Sequence, residues 1–118
     1  MANESTDTST QRLNHLFAAL ADPTRRSVIM ALGAGPRPIS HLADGHDMAL
    51  PSFLKHIDKL ERAGLVVSHK AGRVRTCHLH PEAMRPAQDW LQHEATRWAG
   101  AMDRLAAHLD ALERKTRQ

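Results

Sequence analysis

The chain is 118 residues long, the size of one domain, with 16 Lys and Arg against 13 Asp and Glu; its single cysteine, Cys77, excludes an intrachain disulfide framework. No apolar run approaches the ~20 residues that span a bilayer, and the first residues lack a basic stretch followed by an apolar one, so neither a membrane anchor nor a signal peptide is expected and the protein is placed in the cytoplasm. With no Tyr, two Phe and two Trp, it has little aromatic surface for stacking unpaired bases, which counts against RNA and single-stranded DNA as partners.

Met1 to Thr10 is polar, Ser/Thr-rich and without periodicity, and reads as a disordered tail, leaving 11–118 as the folded domain. A first helix starts near Gln11, where Leu13, Leu16, Phe17 and Leu20 fall at i, i+3, i+4 and i+7. Asp22 is the expected N-cap of a second helix with Pro23 at its first position; Val28, Ile29 and Leu32 face inward, and Gly33, Gly35 and Pro36 stop it. Pro38 and Ser40 introduce a short third helix, Ser40 to about Asp44, with Ile39, Leu42 and Ala43 turned inward.

After the turn Gly45-His46-Asp47, a fourth helix runs between Pro51 and Gly64 with Phe53, Ile57 and Leu60 as its buried stripe. Pro51, Ser52, Lys55, Asp58, Lys59 and Arg62 point away from that stripe, and Leu54 lies on its flank. Leu65 to His69 and Val74 to Leu79 then form a hairpin around Lys70-Ala71-Gly72-Arg73. A short helix, a Gly-containing turn and a longer helix with a polar outer face follow the helix-turn-helix order, and the hairpin makes it winged. Beyond His80-Pro81 the chain is helical again, with a terminal helix over about 86–114. Leu91, Ala95, Trp98, Met102, Leu105, Leu109 and Leu112 are spaced 4, 3, 4, 3, 4 and 3, a seam of coiled-coil type. Such a seam needs a second surface, either another subunit or the first helix of its own chain.

Charge is concentrated where the motif would meet DNA. Lys55, Lys59, Arg62, Lys70, Arg73 and Arg75 stand against Asp58 and Glu61, a local excess larger than the +3 of the whole chain. Lys59, Lys70, Arg73 and Arg75 suit phosphates, which bring salt-dependent affinity and little sequence information. Base edges fall to the amino-terminal half of the fourth helix: Pro51, Ser52, Leu54, Lys55 and His56. Leu54 is open: it either meets a thymine methyl or belongs to the edge of the core. His56 lies beside the buried stripe, where a satisfied, half-buried imidazole is the preferred reading and a base contact the alternative. Arg25 and Arg26 read as an exposed face with a local ion pair.

With these elements in place, the chain resembles the ArsR/SmtB-type bacterial winged-helix repressors from roughly Leu13 to Leu112. The residues that carry the likeness are Leu16-Phe17-Ala18-Ala19-Leu20-Ala21-Asp22-Pro23-Thr24-Arg25-Arg26, Leu50-Pro51-Ser52-Phe53-Leu54-Lys55-His56-Ile57 and Glu61-Arg62-Ala63-Gly64-Leu65-Val66, in that order. The resemblance implies a mainly α fold with a small β-hairpin wing, α-α-α-α-β-β-α. It also implies a homodimer through the first and last helices, so that Leu13, Leu16 and Phe17 would join Leu91, Ala95, Trp98, Met102, Leu105 and Leu109 between subunits. Two fourth helices would enter successive major grooves of an imperfect palindrome, the wings would touch flanking DNA, and the complex would repress by covering a promoter. The chain departs from the family's metal sensors: the Cys-x-Cys pair of many members would fall at Pro38 and Ser40, and the only Asp-x-His, Asp44-Gly45-His46, sits in the wrong element. Leu54 and Ala49 stand where relatives often carry Ser.

Nine histidines do not make a metal site here. His78 and His80 share one strand face while neighbouring Cys77 points to the other, and His93 and His108 would reach Glu94, Asp103 or Asp110 only across subunits. No metal and no cofactor is assigned. Cys77 is read as a small buried thiol, with redox sensing as the alternative. There is no nucleotide loop, no nucleophile with a positioned base and no paired carboxylates in a cleft, so an enzyme is not expected. The residues point to double-stranded DNA and a second copy of the chain as partners. An effector-responsive sensor on the same scaffold, with an effector the residues do not name, and a winged-helix protein-interaction module are the competing readings.

Overall fold

The computed structural model describes residues 4–117. In chain order these form α1 (Glu4–Leu20), α2 (Pro23–Leu32), β1 (Arg37–Pro38), α3 (Ile39–Asp44), α4 (Leu50–Arg62), β2 (Val66–Ala71), β3 (Val74–Leu79), a 3₁₀ turn (Pro81–Met84) and α5 (Arg85–Arg117). No described helix is long and apolar enough to cross a membrane. Two compact units are distinguished, one ending at Ala87 and the other beginning at Gln88.

The first unit carries the core. Leu16 and Ala19 of α1, Val28 and Leu32 of α2, Leu42 of α3, and Phe53, Ile57 and Leu60 of α4 are buried together with Leu65, Val66 and Cys77 at the base of the wing. The α1–α2 junction forms as its residue types dictate. Asp22 is extended, its carboxylate accepts the Arg25 backbone N–H at 3.0 Å, and Pro23 opens α2, where a missing N–H costs nothing.

Two expectations about α1 are corrected. Residues 4–10, read as tail, continue the helix, because no Gly or Pro between Glu4 and Asp22 interrupts it; Met1–Asn3 lie outside the described residues. Leu16, assigned to contacts between subunits, is only 2% exposed and is already used in the core of its own chain, with Leu13 and Phe17 packed partly against it.

The end of α4 is a Schellman turn: Gly64 N–H donates to the Glu61 carbonyl at 2.9 Å and Leu65 N–H to the Leu60 carbonyl at 3.0 Å. Gly64 takes φ +79°, which turns the chain directly into the wing. In the hairpin Ala71 faces Val74, leaving Gly72 and Arg73 as a two-residue turn with Gly72 at φ +62°.

A third strand joins the two expected ones. β1 pairs antiparallel with β3, Arg37 opposite Cys77 and Pro38 opposite Thr76, giving the order β1-β3-β2. Two residues, one of them a proline, leave no alternating pattern to read. The pairing fixes the start of α3 beside the wing, and Arg37 Nε adds a bond to the Ala31 carbonyl of α2 at 3.1 Å.

From Gln88 the second unit is the remainder of α5, which at 33 residues is about 50 Å long and longer than the spacing predicted. Its seam residues Leu91, Trp98, Met102, Leu105, Leu109 and Leu112 are 46–65% exposed, and Ala95 is exposed as well.

Gly64→Ala tests the hinge between α4 and the wing. An added Cβ would meet only Ala83 Cβ at 3.6 Å, an ordinary contact, so the cost is conformational. Chemical denaturation should show a loss of ~1–2 kcal/mol, the penalty of the left-handed region for a residue with a Cβ.

Candidate nucleic-acid interface

Once Phe53, Ile57 and Leu60 are committed to the core, the remaining faces of α4 are set by the 3.6-residue period. Leu50, Pro51, Ser52, Leu54 and Lys55 are exposed on its amino-terminal half. Ala49 provides no side-chain cap, and this end carries the positive pole of the helix dipole.

An open groove of about 380 Å³ runs between this half-helix, the start of α3 and the wing. Leu50 and Leu54 line it from α4, Pro38, Ile39 and Ser40 from the β1–α3 corner, and Lys70, Arg73, Val74 and Arg75 from the hairpin. The groove therefore gathers Leu54, Lys70, Arg73 and Arg75 from among the expected contact residues. Pro51, Ser52 and Lys55 are exposed on α4 but do not line it. Lys59 borders a separate depression with His15 and Ala18 of α1.

The six cations are not equivalent. Arg62 is held by Asp58 at 2.9 Å, one helical turn away. Arg75 Nη1 donates to Ser68 Oγ at 3.1 Å, and that hydroxyl donates to Glu61 Oε1 at 2.7 Å, tying the wing to the end of α4. Lys55, Lys59, Lys70 and Arg73 are exposed and make no ion pair among the described residues, which leaves their charge for a partner.

His56 is turned away from this surface. A guanidinium can only donate, so Arg25 Nη1 at 3.0 Å makes His56 Nδ1 an acceptor and puts the ring proton on Nε2. Arg25, expected to be exposed, is 7% exposed; its Nε and Nη2 each donate at 2.8 Å to the carbonyls of Ala19 and Ala18 at the end of α1. Asp22 Oδ2 lies 3.7 Å from His56 Nδ1. Burial opposes the charge on Asp22, but the Arg25 N–H and the nearby Arg25 guanidinium favour it, and its carboxyl is lowered below the usual value.

One side chain thus joins α1, α2 and α4. The signal was present in the sequence, since Arg25, Val28 and Leu32 fall at i, i+3 and i+7 on the buried face of α2. Leu50 and Val74 were also missed as groove residues; Leu50 precedes Leu54 by one turn and lies off the buried stripe.

The other reactive side chains have structural roles. Cys77 is fully buried; burial pushes its thiol up to about 11, with Glu61 acting in the same direction and Arg75 against it. His78 stacks on His69 across the hairpin, ring centres 5.1 Å apart. His46 Nδ1 donates to the Leu42 carbonyl at 3.0 Å, closing the end of α3, and its ring lies against Phe53. No three His, Cys, Asp or Glu residues come together as a metal group among the described residues.

The sequence model of a family described as a helix-turn-helix domain matches residues 20–69, from the end of α1 into the wing. The crystal structure of an ArsR family transcriptional regulator is 48% identical, with a TM-score of 0.73 over 76% of this chain and 93% of its own. The chain belongs to the ArsR family of transcriptional regulators. The regulator is also 25% identical over 79 residues to the transcriptional repressor SdpR of Bacillus subtilis strain 168, covering 67% of this chain and 88% of SdpR. A homodimeric winged helix-turn-helix DNA-binding domain from Mycobacterium bovis, 18% identical, shares the fold with a TM-score of 0.63 over 77% of this chain and 86% of its own.

Cys77 gives a direct check on the packing beneath the wing. At about pH 8 the folded regulator should react with iodoacetamide roughly 100-fold more slowly than the same protein in guanidinium chloride, because little of the buried thiol is ionised.

Proposed function

We propose that this regulator is a homodimeric repressor that binds double-stranded DNA of imperfect dyad symmetry, with α4 in the major groove and the wing on flanking phosphates. The observation that carries the reading is the placement of uncompensated Lys55, Lys70 and Arg73 around the exposed amino-terminal half of α4, with the wing beside it. Positive charge in that position neutralises phosphates and releases counterions, and the exposed half-helix is the part of a helix-turn-helix that approaches base edges.

The dimer is supported by the α5 seam, whose exposed Leu, Met and Trp side chains repeat at heptad spacing, and by the homodimeric state of the Mycobacterium bovis relative. Repression follows the character of SdpR and the simple steric consequence of occupying a promoter. Ser52 and Lys55 contact bases, whereas Lys59, Lys70, Arg73 and Arg75 contact phosphates; for Arg75 this means exchanging Ser68 for a phosphate oxygen. His56 acts from within, holding α4 against Arg25.

Two measurements test this division. In fluorescence anisotropy with genomic fragments of the source organism, Lys55→Ala should weaken binding and change the preferred half-site, while Arg73→Ala should weaken all duplexes similarly and reduce the salt slope by about one. Equal, sequence-neutral losses for both variants would overturn the assignment.

Leu105→Glu should convert the dimer to a monomer in analytical ultracentrifugation and lower DNA affinity by roughly 100-fold or more through lost bivalence. The fold of the unit ending at Ala87 should be unchanged, since its core lies elsewhere.

A further inference from the structure

The exposed half of α4 is unusual for a base-reading surface in what it lacks. Between Leu50 and Lys55 there is no Arg, Asn, Gln, Asp or Glu, so hydrogen-bonded base readout from this segment is left to Ser52 and Lys55 alone. Beside Lys55, its large exposed side chains are apolar. Leu50 is 53% exposed and Leu54, one turn later, 42%; neither belongs to the core. They form a ridge along the groove wall, faced by Val74 of the wing, itself 51% exposed. Lys70, Arg73 and Arg75 line the same groove.

An apolar wall edged by cations is complementary to an occupant with apolar groups set between anionic strands. In a DNA major groove the apolar group offered by a base pair is the C5-methyl of thymine, recessed between two phosphate backbones. We infer that Leu50 and Leu54 are specificity-determining residues that read thymine methyl groups, so that each half-site carries thymine where this ridge meets the groove floor. The inference rests on the DNA-binding reading above and deepens it: selectivity comes from apolar contact with methyl groups, and the surrounding cations set the register on the backbone. It also resolves the ambiguity of Leu54, which is an exposed groove residue and not part of the core.

Replacing thymine by deoxyuridine removes the methyl and leaves the hydrogen-bonding edge intact. Full-length protein is used to select duplexes from a random 30-base-pair pool, a length of about three helical turns. Affinity is then measured for the enriched duplex with each half-site thymine replaced singly by deoxyuridine. At one or two positions in each half-site, affinity should fall about fourfold per methyl. Leu54→Ser should lose that sensitivity at the thymine it contacts while retaining the wild-type salt dependence and thermal melting.

If deoxyuridine duplexes bind as tightly as thymine duplexes at every position while binding remains salt-dependent, the methyl-reading assignment is overturned, the DNA-binding reading stands, and the groove belongs to another occupant such as an apolar anion. Undiminished thymine sensitivity in both Leu54→Ser and Leu50→Ser would also overturn it. If no duplex is enriched and no salt-dependent binding is seen, the DNA-binding reading fails and this inference with it.

Discussion

The burial of Phe53, Ile57 and Leu60 along one stripe of α4 is the constraint on which the rest of the regulator depends. A helix has a fixed angular relation between its faces, so committing three side chains to the core decides where every other side chain of α4 points. Leu50, Ser52, Leu54 and Lys55 are exposed because the stripe is buried, and the Schellman turn at Gly64 then sends the chain into a hairpin whose tip shares a groove with that exposed half. The interaction that makes the core also aims the surface.

Arg25 adds a polar constraint to the hydrophobic one. A buried guanidinium is tolerated only when its nitrogens have partners, and here Nε and Nη2 donate to carbonyls at the end of α1 and Nη1 to His56 of α4. The carbonyl groups lie at a helix C-terminus, where partial negative charge is already concentrated and a cation is favoured. Removing either partner would strand a buried polar group. The clamp thus fixes the roll of α4 relative to α1 through directional bonds, which apolar packing alone does less sharply.

The elements legible in the sequence were those with strong period or strong punctuation: the stripes of α1 and α4, the Asp22-Pro23 start of α2, the glycine end of α4 and the hairpin. Local patterns missed what depends on distant partners. β1 has two residues and exists only because β3 lies beside it, so no propensity within Arg37-Pro38 announces it. The helical state of residues 4–10 follows propagation from the Leu13–Leu20 stripe, whereas a polar composition alone reads as a tail. Leu16 shares its stripe with Leu13 and Phe17, and the sequence does not say which member of a stripe is used within the chain.

The candidate site divides in the same way. The cations of the wing and Lys55 were recognisable from charge and position. That His56 is half-buried beside the stripe was legible from the helical period; its partner was not, because Arg25 lies thirty-one positions earlier and meets it only when α2 is folded against α4. The apolar character of the groove was half legible: Leu50 and Leu54 lie one turn apart on α4, whereas Val74 joins them only through the β1-β3-β2 arrangement that sets the hairpin beside α3.

That strand order also leaves one sheet edge open. With β3 in the middle, the outer rim of β2 has no neighbouring strand among the described residues and presents free backbone donors and acceptors, the feature through which sheets of separate molecules zip together. Its exposed outer portion is His69, Lys70 and Ala71, polar and cationic at its centre. Two such rims brought side by side would place their lysines near one another, a like-charge contact that disfavours edge-to-edge pairing of wings.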